Sequence, residues 1–245
     1  MSPRRLRADL LLVERGFFDS RAKAQAAIAA GLVSVEGRPV RKASEEITST
    51  AIITAQAPHP WVSRGGMKLA AALAAFSVRP TDRTCLDVGS STGGFSHVLL
   101  TEGASRVIAV DTGREQFHAS LRGDPCITLM EATDIRKLTS ADLPAVPDLA
   151  VIDVSFISLR LVLPAVTALL AAEADLIALV KPQFEVGRGH VGKNGIVTDV
   201  SAREAAVAGV RAEAERLGWR IGGLIDSPIA GGDGNREFLM HGMRP

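Results

Sequence analysis

Four charged residues of this 245-residue chain, Lys68, Asp153, Lys181 and Glu237, are of the types that draw a proton from a hydroxyl and hold the charge that results. An ammonium coupled to a carboxylate orients a hydroxyl, stabilises developing alkoxide character, or takes the proton when its own pKa is depressed. The bland alternative is a set of Lys–acid bridges between strand ends, which are common and nearly neutral in energy. A second feature bears on the choice, the segment Thr84-Cys85-Leu86-Asp87-Val88-Gly89-Ser90-Ser91-Thr92-Gly93-Gly94-Phe95. Its apolar run closes on an acid, a small Gly-rich turn follows, and helical spacing resumes, so it reads as strand, tight loop and helix start. Glycines let the backbone approach a ligand, and the first N–H groups of the helix point at a carboxylate or phosphate. One strand later, Val107-Ile108-Ala109-Val110 ends on Asp111, where an acid accepts hydrogen bonds from the ribose hydroxyls of an adenosine. The loop reads G-S-S-T-G-G rather than G-x-G-x-x-G, which disfavours NAD.

The elements that must position these residues alternate. Ser63-Arg64-Gly65-Gly66-Met67-Lys68 leads into an Ala-rich helix over 69–76, which comes before the first strand. Further strands are predicted over 106–111, 127–130, 149–156 and 176–185, with Asp153 and Lys181 at the carboxyl ends of the last two. A Gly-rich, basic stretch over 187–198 reads as a mobile substrate loop, and a helix follows over 201–217. Segments 219–226 and 237–241 form an antiparallel closing pair, joined by the Gly-rich residues 230–235. Strand and helix in alternation predict a doubly wound sheet, with its ligand edge at the carboxyl ends of the strands. Each of the four charged residues lies at or beside an element end on that edge.

Ahead of this unit, residues 1–50 hold nine Lys or Arg against six acids, a balance of +3 in a chain whose total is +1. Uneven charge of this kind suggests a polyanionic partner held by the N-terminal part. Helices are predicted over 8–15, stopping at Gly16, and from an N-cap at Ser20 to Gly31, followed by a hairpin turning at Glu36-Gly37. The run R-A-D-L-L-L-V-E-R-G-F-F-D-S-R-A-K-A-Q-A-A-I-A-A-G-L-V-S-V-E-G-R-P-V resembles the S4 RNA-binding domain. That resemblance implies phosphate contacts from Arg7, Arg21, Lys23, Arg38 and Lys42, which give position and salt-dependent affinity without reading sequence. The expected division is an S4-like domain over 1–55, a linker over 56–62 and a second domain over 63–245.

D-x-G-x-x-x-G-G-F followed by a strand-terminal Asp resembles the S-adenosylmethionine site of class I methyltransferases. The implied cofactor residues are Asp87, Gly89, Ser90, Thr92, Gly93, Gly94, Phe95 and Asp111, with Asp134 near the adenine amino group. S-R-G-G-M-K, V-I-D-V-S-F, L-V-K-P-Q-F-E and G-N-R-E-F around the Lys68–Asp153–Lys181–Glu237 set resemble the FtsJ-like ribose 2′-O-methyltransferases. The order S4 then FtsJ-like resembles the TlyA family, known both as hemolysin A and as rRNA 2′-O-methyltransferase. The implied fold is α/β, a class I (Rossmann-like) methyltransferase sheet with a small N-terminal α+β S4 domain. The implied activity is S-adenosylmethionine-dependent methylation of a cytidine ribose in 23S rRNA and, in some members, 16S rRNA. The chain ends shortly after the Glu237 strand, which favours the 23S target. The implied partner is ribosomal RNA or a ribosomal subunit.

Other readings lose ground on particular residues. A membrane-damaging activity, as the hemolysin name implies, meets no signal peptide and no spanning segment, because the longest apolar stretch (161–172) is short and contains Pro164. Amino-group methyltransferases carry an N/D-P-P-Y/F-type turn, and Asp153-Val154-Ser155-Phe156 lacks both prolines. Pyrimidine-carbon methylation needs a nucleophilic Cys, and Cys85 and Cys126 read as two buried, reduced thiols of a cytoplasmic protein. His97 and His241 have no companions at metal spacing, so no metal is expected. A ribosome-associated RNA-binding factor without catalysis remains the competing reading, opposed by retention of the loop, Asp111 and all four charged residues.

Overall fold

The computed structural model describes residues 4–231 and 234–245 and divides into two compact units, Met1–Pro60 and Trp61–Pro245. In the first unit, β1 (Arg5–Arg7) runs into α1 (Ala8–Glu14), and α2 (Arg21–Ala29) follows. Ser20 caps α2 by accepting the Lys23 backbone N–H at 3.4 Å, and Gly16 and Gly31 adopt positive φ where each helix stops. β2 (Val33–Val35) and β3 (Arg38–Pro39) form the expected hairpin. Glu36 and Gly37 both have positive φ, as the mirror-image turn that suits strand twist requires. β4 (Glu46–Thr48) pairs with β1, and β5 (Ile53–Ala55) with β2; neither pairing was foreseen from the sequence. Leu11, Leu12, Phe18, Ala27, Ile28 and Ile47 close a small core.

The second unit is one seven-stranded sheet with helices on both faces. α3 (Gly65–Phe76) precedes β6 (Thr84–Val88), α4 (Gly94–Thr101), β7 (Arg106–Val110), β8 (Ile127–Met130) and β9 (Leu149–Ile152). α5 (Leu159–Leu169), β10 (Ala174–Val180), α6 (Pro182–Glu185), α7 (Val200–Arg216), β11 (Arg220–Asp226) and β12 (Phe238–Arg244) complete it. The strand order is β11-β12-β10-β9-β6-β7-β8, parallel from β10 to β8, with β12 antiparallel between β10 and β11. β6 and β9 are wholly apolar apart from Thr84 and Asp87 because both their faces are covered. α5 and α7 pack on one face, and α3 and α4 on the other. From β6 the chain winds outward to β7 and β8, then returns to β9 and β10 on the other side. The crevice of an open α/β sheet therefore opens above β6 and β9.

Three boundaries differ from expectation. β9 ends at Ile152, not 156, because Phe156 takes φ +65° and the segment turns away from the ladder. β10 runs 174–180, starting earlier than expected and ending where Pro182 opens α6 with Lys181 as its N-cap. α3 begins at Gly65, so Lys68 lies inside its first turn rather than ahead of the helix. The stretch 187–198, read as mobile, is tied at its end: Val197 N–H donates to Asn235 Oδ1 at 3.0 Å, and Asn235 Nδ2 donates to Gly195 O at 2.9 Å. Of the Gly-rich connection at 230–235, positions 232 and 233 lie outside the described residues. Among the described residues no helix is long and apolar enough to cross a membrane.

Candidate active site

The loop after β6 is shaped by two glycines and one acid. Gly89 has φ +83°, and a Cβ there would sit 2.5 Å from the Asp153 carbonyl oxygen, so no side chain fits between the two strand ends. Gly93 has φ +86° and caps α4, where a Cβ would strike Phe117 and Leu121. Asp111, just past β7, holds the loop from outside: its Oδ2 accepts the Ser91 N–H at 2.8 Å and its Oδ1 the Gly113 N–H at 2.6 Å. A carboxylate has about four acceptor sites, so each oxygen retains one.

Asp87, expected among the cofactor residues, lies below the loop. It is fully buried beneath the loop, lines neither cavity, and accepts the Ser96 hydroxyl at 2.6 Å. Burial, reinforced by the charges of Asp153 and Asp111 and opposed by Ser96, pushes its carboxyl up to about 7. It ties the end of β6 to α4 through Ser96, and its Oδ1 is buried without a hydrogen-bond partner among the described residues.

Two cavities meet above the sheet. The larger, about 560 Å³, is lined by Val110, Asp111, Gly113, Asp134, Ile135, Ser155, Phe156 and Ile157 among others. The smaller, about 240 Å³, is lined by Ser63, Arg64, Gly65, Lys68, Ser90, Thr92, Gly94 and Phe95 among others. Gly89, Ser91 and Asp153 border both. Gly93 lies outside both linings because it faces Phe117 and Leu121. Ser90 Oγ is buried at the smaller cavity without a hydrogen-bond partner among the described residues. Asp134 faces the larger cavity, but its carboxylate is engaged: Arg136 pairs with it at 2.7 Å, and that guanidinium holds the acid down to about 2.

The four charged residues form two ion pairs. Lys181 Nζ lies 2.6 Å from Asp153 Oδ1 and donates to Ser155 Oγ at 2.8 Å. Lys68 Nζ donates to Glu237 Oε2 at 2.6 Å. Lys68 and Asp153 both line the smaller cavity, which brings one member of each pair to a shared space. Lys68 is thus not a solvated side chain but 8% exposed, and Glu237 is 3% exposed. Ser155 was missed in the sequence. Its signal, a hydroxyl two residues past a strand-terminal acid, is too common to single out.

The FtsJ-like methyltransferase family model matches residues 61–244, and the S4 domain model matches residues 6–53. The chain belongs to the FtsJ-like methyltransferase family. A relative from Mycobacterium tuberculosis named 16S/23S rRNA (cytidine-2′-O)-methyltransferase TlyA is 44% identical, over 97% of this chain and 89% of its own length. A protein named Hemolysin A from Brachyspira hyodysenteriae is 37% identical over 96% of this chain and 99% of its own. A solved structure from Streptococcus thermophilus carrying a hemolysin name superposes with a TM-score of 0.77 at 41% identity, covering 100% of this chain and 90% of that one. The fibrillarin/Nop5p complex, at 17% identity and a TM-score of 0.54 over 76% of this chain and 84% of that one, shares the fold. The fold expectation holds: a class I methyltransferase sheet with an S4 domain at its N-terminal side.

In this FtsJ-like chain the other singled-out residues find ordinary places. His97 Nδ1 accepts the Val62 N–H at 3.2 Å, and desolvation lowers its pKa. His241 stacks on Phe76 and lies 2.8 Å from Asp175, which Arg83 also holds. Cys85 is buried, which pushes its thiol up to about 12, whereas Cys126, expected to be buried, is half-buried; both are free. Among the described residues no cluster of three His, Cys, Asp or Glu could hold a metal.

In the S4 unit, Arg7 and Arg21 each contact the fully buried Asp9 at 3.0 Å, and these partners hold the Asp9 carboxyl far below the usual range. Sequence reasoning missed Asp9 because a lone acid in a helix start reads as solvated. Lys23 pairs with Asp19 at 2.5 Å, and Arg38 and Lys42 are exposed.

Proposed function

We propose that this chain methylates the 2′-hydroxyl of a cytidine ribose in ribosomal RNA, using S-adenosylmethionine. The observation that carries the reading is the Lys181–Asp153 ion pair: Asp153 borders both cavities, and Ser155, which also holds Lys181, lines the larger. The rRNA target rests on the TlyA relative, whose name states it.

The residues present fit the cofactor. Asp111 keeps an acceptor site on each oxygen for ribose hydroxyls, Gly89 leaves room for close backbone approach, and Ser90 offers an unpaired hydroxyl in the smaller cavity. Asp134, Ile135, Thr92, Gly94 and Phe95 line the remaining walls. S-adenosylmethionine supplies a methyl group on a sulfonium centre. Lys181 in its neutral amine form, oriented by Asp153, takes the proton from the 2′-hydroxyl as that oxygen attacks the methyl group, and the ammonium so formed is paired by Asp153. Ser155 fixes the Lys181 ammonium from the other side. Lys68, locked by Glu237, adds a second fixed positive charge facing the space that Asp153 also borders, and most of the rate gain comes from alignment.

Arg7, Arg21, Lys23, Arg38 and Lys42 serve as phosphate contacts of a docking module over 1–55, joined by 56–62 to a catalytic domain over 63–245. The reaction is cytoplasmic, where ribosomal RNA is assembled.

The test is transfer of labelled methyl from S-adenosylmethionine to purified ribosomal subunits and to free rRNA, wild type against Lys181→Ala, followed by nucleoside analysis and mapping. A 2′-O-methylcytidine that disappears with the substitution is expected. Absence of transfer by the wild type, or full activity of Lys181→Ala, overturns the reading and leaves an RNA-binding factor.

A further inference from the structure

β9 and β10 hold Asp153 and Lys181 only up to a point. The ladder between the two strands has its last rung at Ala178 and Ile152, so neither charged residue lies on a paired rung. Beyond it Asp153 keeps one backbone bond to β6, its N–H to Val88 O at 2.9 Å, and Val154 and Ile157 pack on the core, but Ser155 is exposed and Phe156 is 92% exposed with φ +65°. Yet Lys181 Nζ must meet both Asp153 and Ser155 at hydrogen-bonding distance. Something else fixes the spacing of these two segments.

The far end of the Lys181 segment provides it. Glu185, 9% exposed, accepts the Ser158 hydroxyl at 2.6 Å through Oε2 and the Leu159 backbone N–H at 2.7 Å through Oε1. Arg160 adds an ion pair at 3.6 Å and donates to the Glu185 carbonyl at 3.3 Å. Phe184 meets Phe156 with ring centroids 5.2 Å apart. The contacts run in step, 181 with 153 and 155, 184 with 156, and 185 with 158 and 159. A carboxylate at the first N–H groups of α5 also sits favourably against the helix dipole. Both oxygens hold the start of α5, and Glu185 lines neither of the two cavities above the sheet.

We infer that Glu185 is a positioning residue, which clamps segment 181–185 to segment 153–159 and so holds Lys181 in register with Asp153 and Ser155. The inference rests on the reading of Lys181 as the residue that draws the proton. A misplacement of about 1 Å at a reacting group costs up to roughly a hundredfold in rate.

The experiment compares Glu185→Gln, Ser158→Ala, Ser158→Thr and Lys181→Ala in the full chain, reading kcat, KM for ribosomal subunits, S-adenosylmethionine Kd and Tm. Glu185→Gln keeps the volume and one acceptor but loses the charge. It is expected to lower kcat by about tenfold or more, with KM and the cofactor Kd unchanged within about twofold. Ser158→Ala should lower kcat in the same direction, and Ser158→Thr, which keeps the hydroxyl, should restore it. If Glu185→Gln does not fold, the Ser158 pair decides alone. Wild-type kcat in Ser158→Ala, or loss in kcat that comes only with a matching loss of cofactor affinity, overturns the inference. If Lys181→Ala is itself active, the catalytic reading fails, and the positioning role falls with it. If Lys181→Ala is dead while Glu185→Gln and Ser158→Ala keep full kcat, only the positioning role fails.

Discussion

Lys68 Nζ and Glu237 Oε2 meet at 2.6 Å across 169 residues of sequence, with side chains only 10% and 3% exposed. A buried pair is weak evidence for net stability, because desolving both charges offsets their attraction, but removing one partner strands the other. Lys68→Met and Glu237→Leu should each destabilise by about 3 kcal/mol, and the double variant Lys68→Met/Glu237→Leu should recover most of that. Urea unfolding of all three measures it. Lys68→Met and the double variant should both lose methyl transfer, since stability can be recovered in an apolar pair and the fixed positive charge cannot. Additive effects in the double variant would mean the pair is not coupled.

Gly89 stands where no side chain fits. Gly89→Ala places a Cβ 2.5 Å from the Asp153 carbonyl and imposes φ +83° on an L-residue. Strain of about 1–3 kcal/mol is expected. Separating the two strand ends also disturbs Asp153, so calorimetric titration should show S-adenosylmethionine affinity reduced at least tenfold. Unchanged affinity would place the cofactor elsewhere.

Asp87 gives a pH signature. Its folded carboxyl lies at about 7, above an ordinary value of about 3.9, so the fold favours the protonated form. The stability this contributes is complete below about pH 4, declines as the pH rises towards 7, and is absent above it; the span is on the order of 4 kcal/mol. Asp87→Asn is neutral throughout and keeps an acceptor for Ser96. Its Tm relative to wild type should therefore climb between pH 4 and pH 7 and level off above. A gap independent of pH would show that Asp87 ionises as a solvated acid does.

Salt dependence separates the basic residues of the S4 unit. Each phosphate contact contributes about 0.7–0.9 to the slope of log affinity against log salt. Arg38→Ala removes an exposed guanidinium and should reduce the slope by roughly that amount. Arg21→Ala removes a charge already matched by Asp9 and should reduce it less. Fluorescence anisotropy with an rRNA fragment over a salt series tests the contrast, and equal losses would remove the distinction.

Much of the sheet was legible because strands buried on both faces leave near-continuous apolar runs, as in Leu149–Ile152 and Ala174–Val180. Hairpin and helix stops were legible at Gly16, Gly31 and Glu36-Gly37, where positive φ selects the residue. The end of β9 was not, since nothing in the string Val154-Ser155-Phe156 announces that an aromatic residue takes a left-handed conformation. Partnerships across the sheet were the least legible. Asp87 reads as a ligand-facing strand end and instead faces Ser96, because the direction of a side chain at a strand's last rung depends on what packs beneath it. Nothing in the sequence marks Asp9 or Glu185 as buried acids, because their partners are distant along the chain, Ser158 lying 27 positions from Glu185.

β12 arrives last along the chain and yet occupies the interior of the sheet, between β10 and β11. During synthesis, the strands up to residue 180 can pair among themselves while β10 keeps one side open, a row of unpaired backbone groups along Ala174–Val180. Pairings of such long sequence separation form slowly, and an apolar edge left open in the interval recruits other chains. Misassembly of this protein, under heat or fast expression, should therefore begin at the β10 edge, at a stage when Lys68 has not yet met its carboxylate.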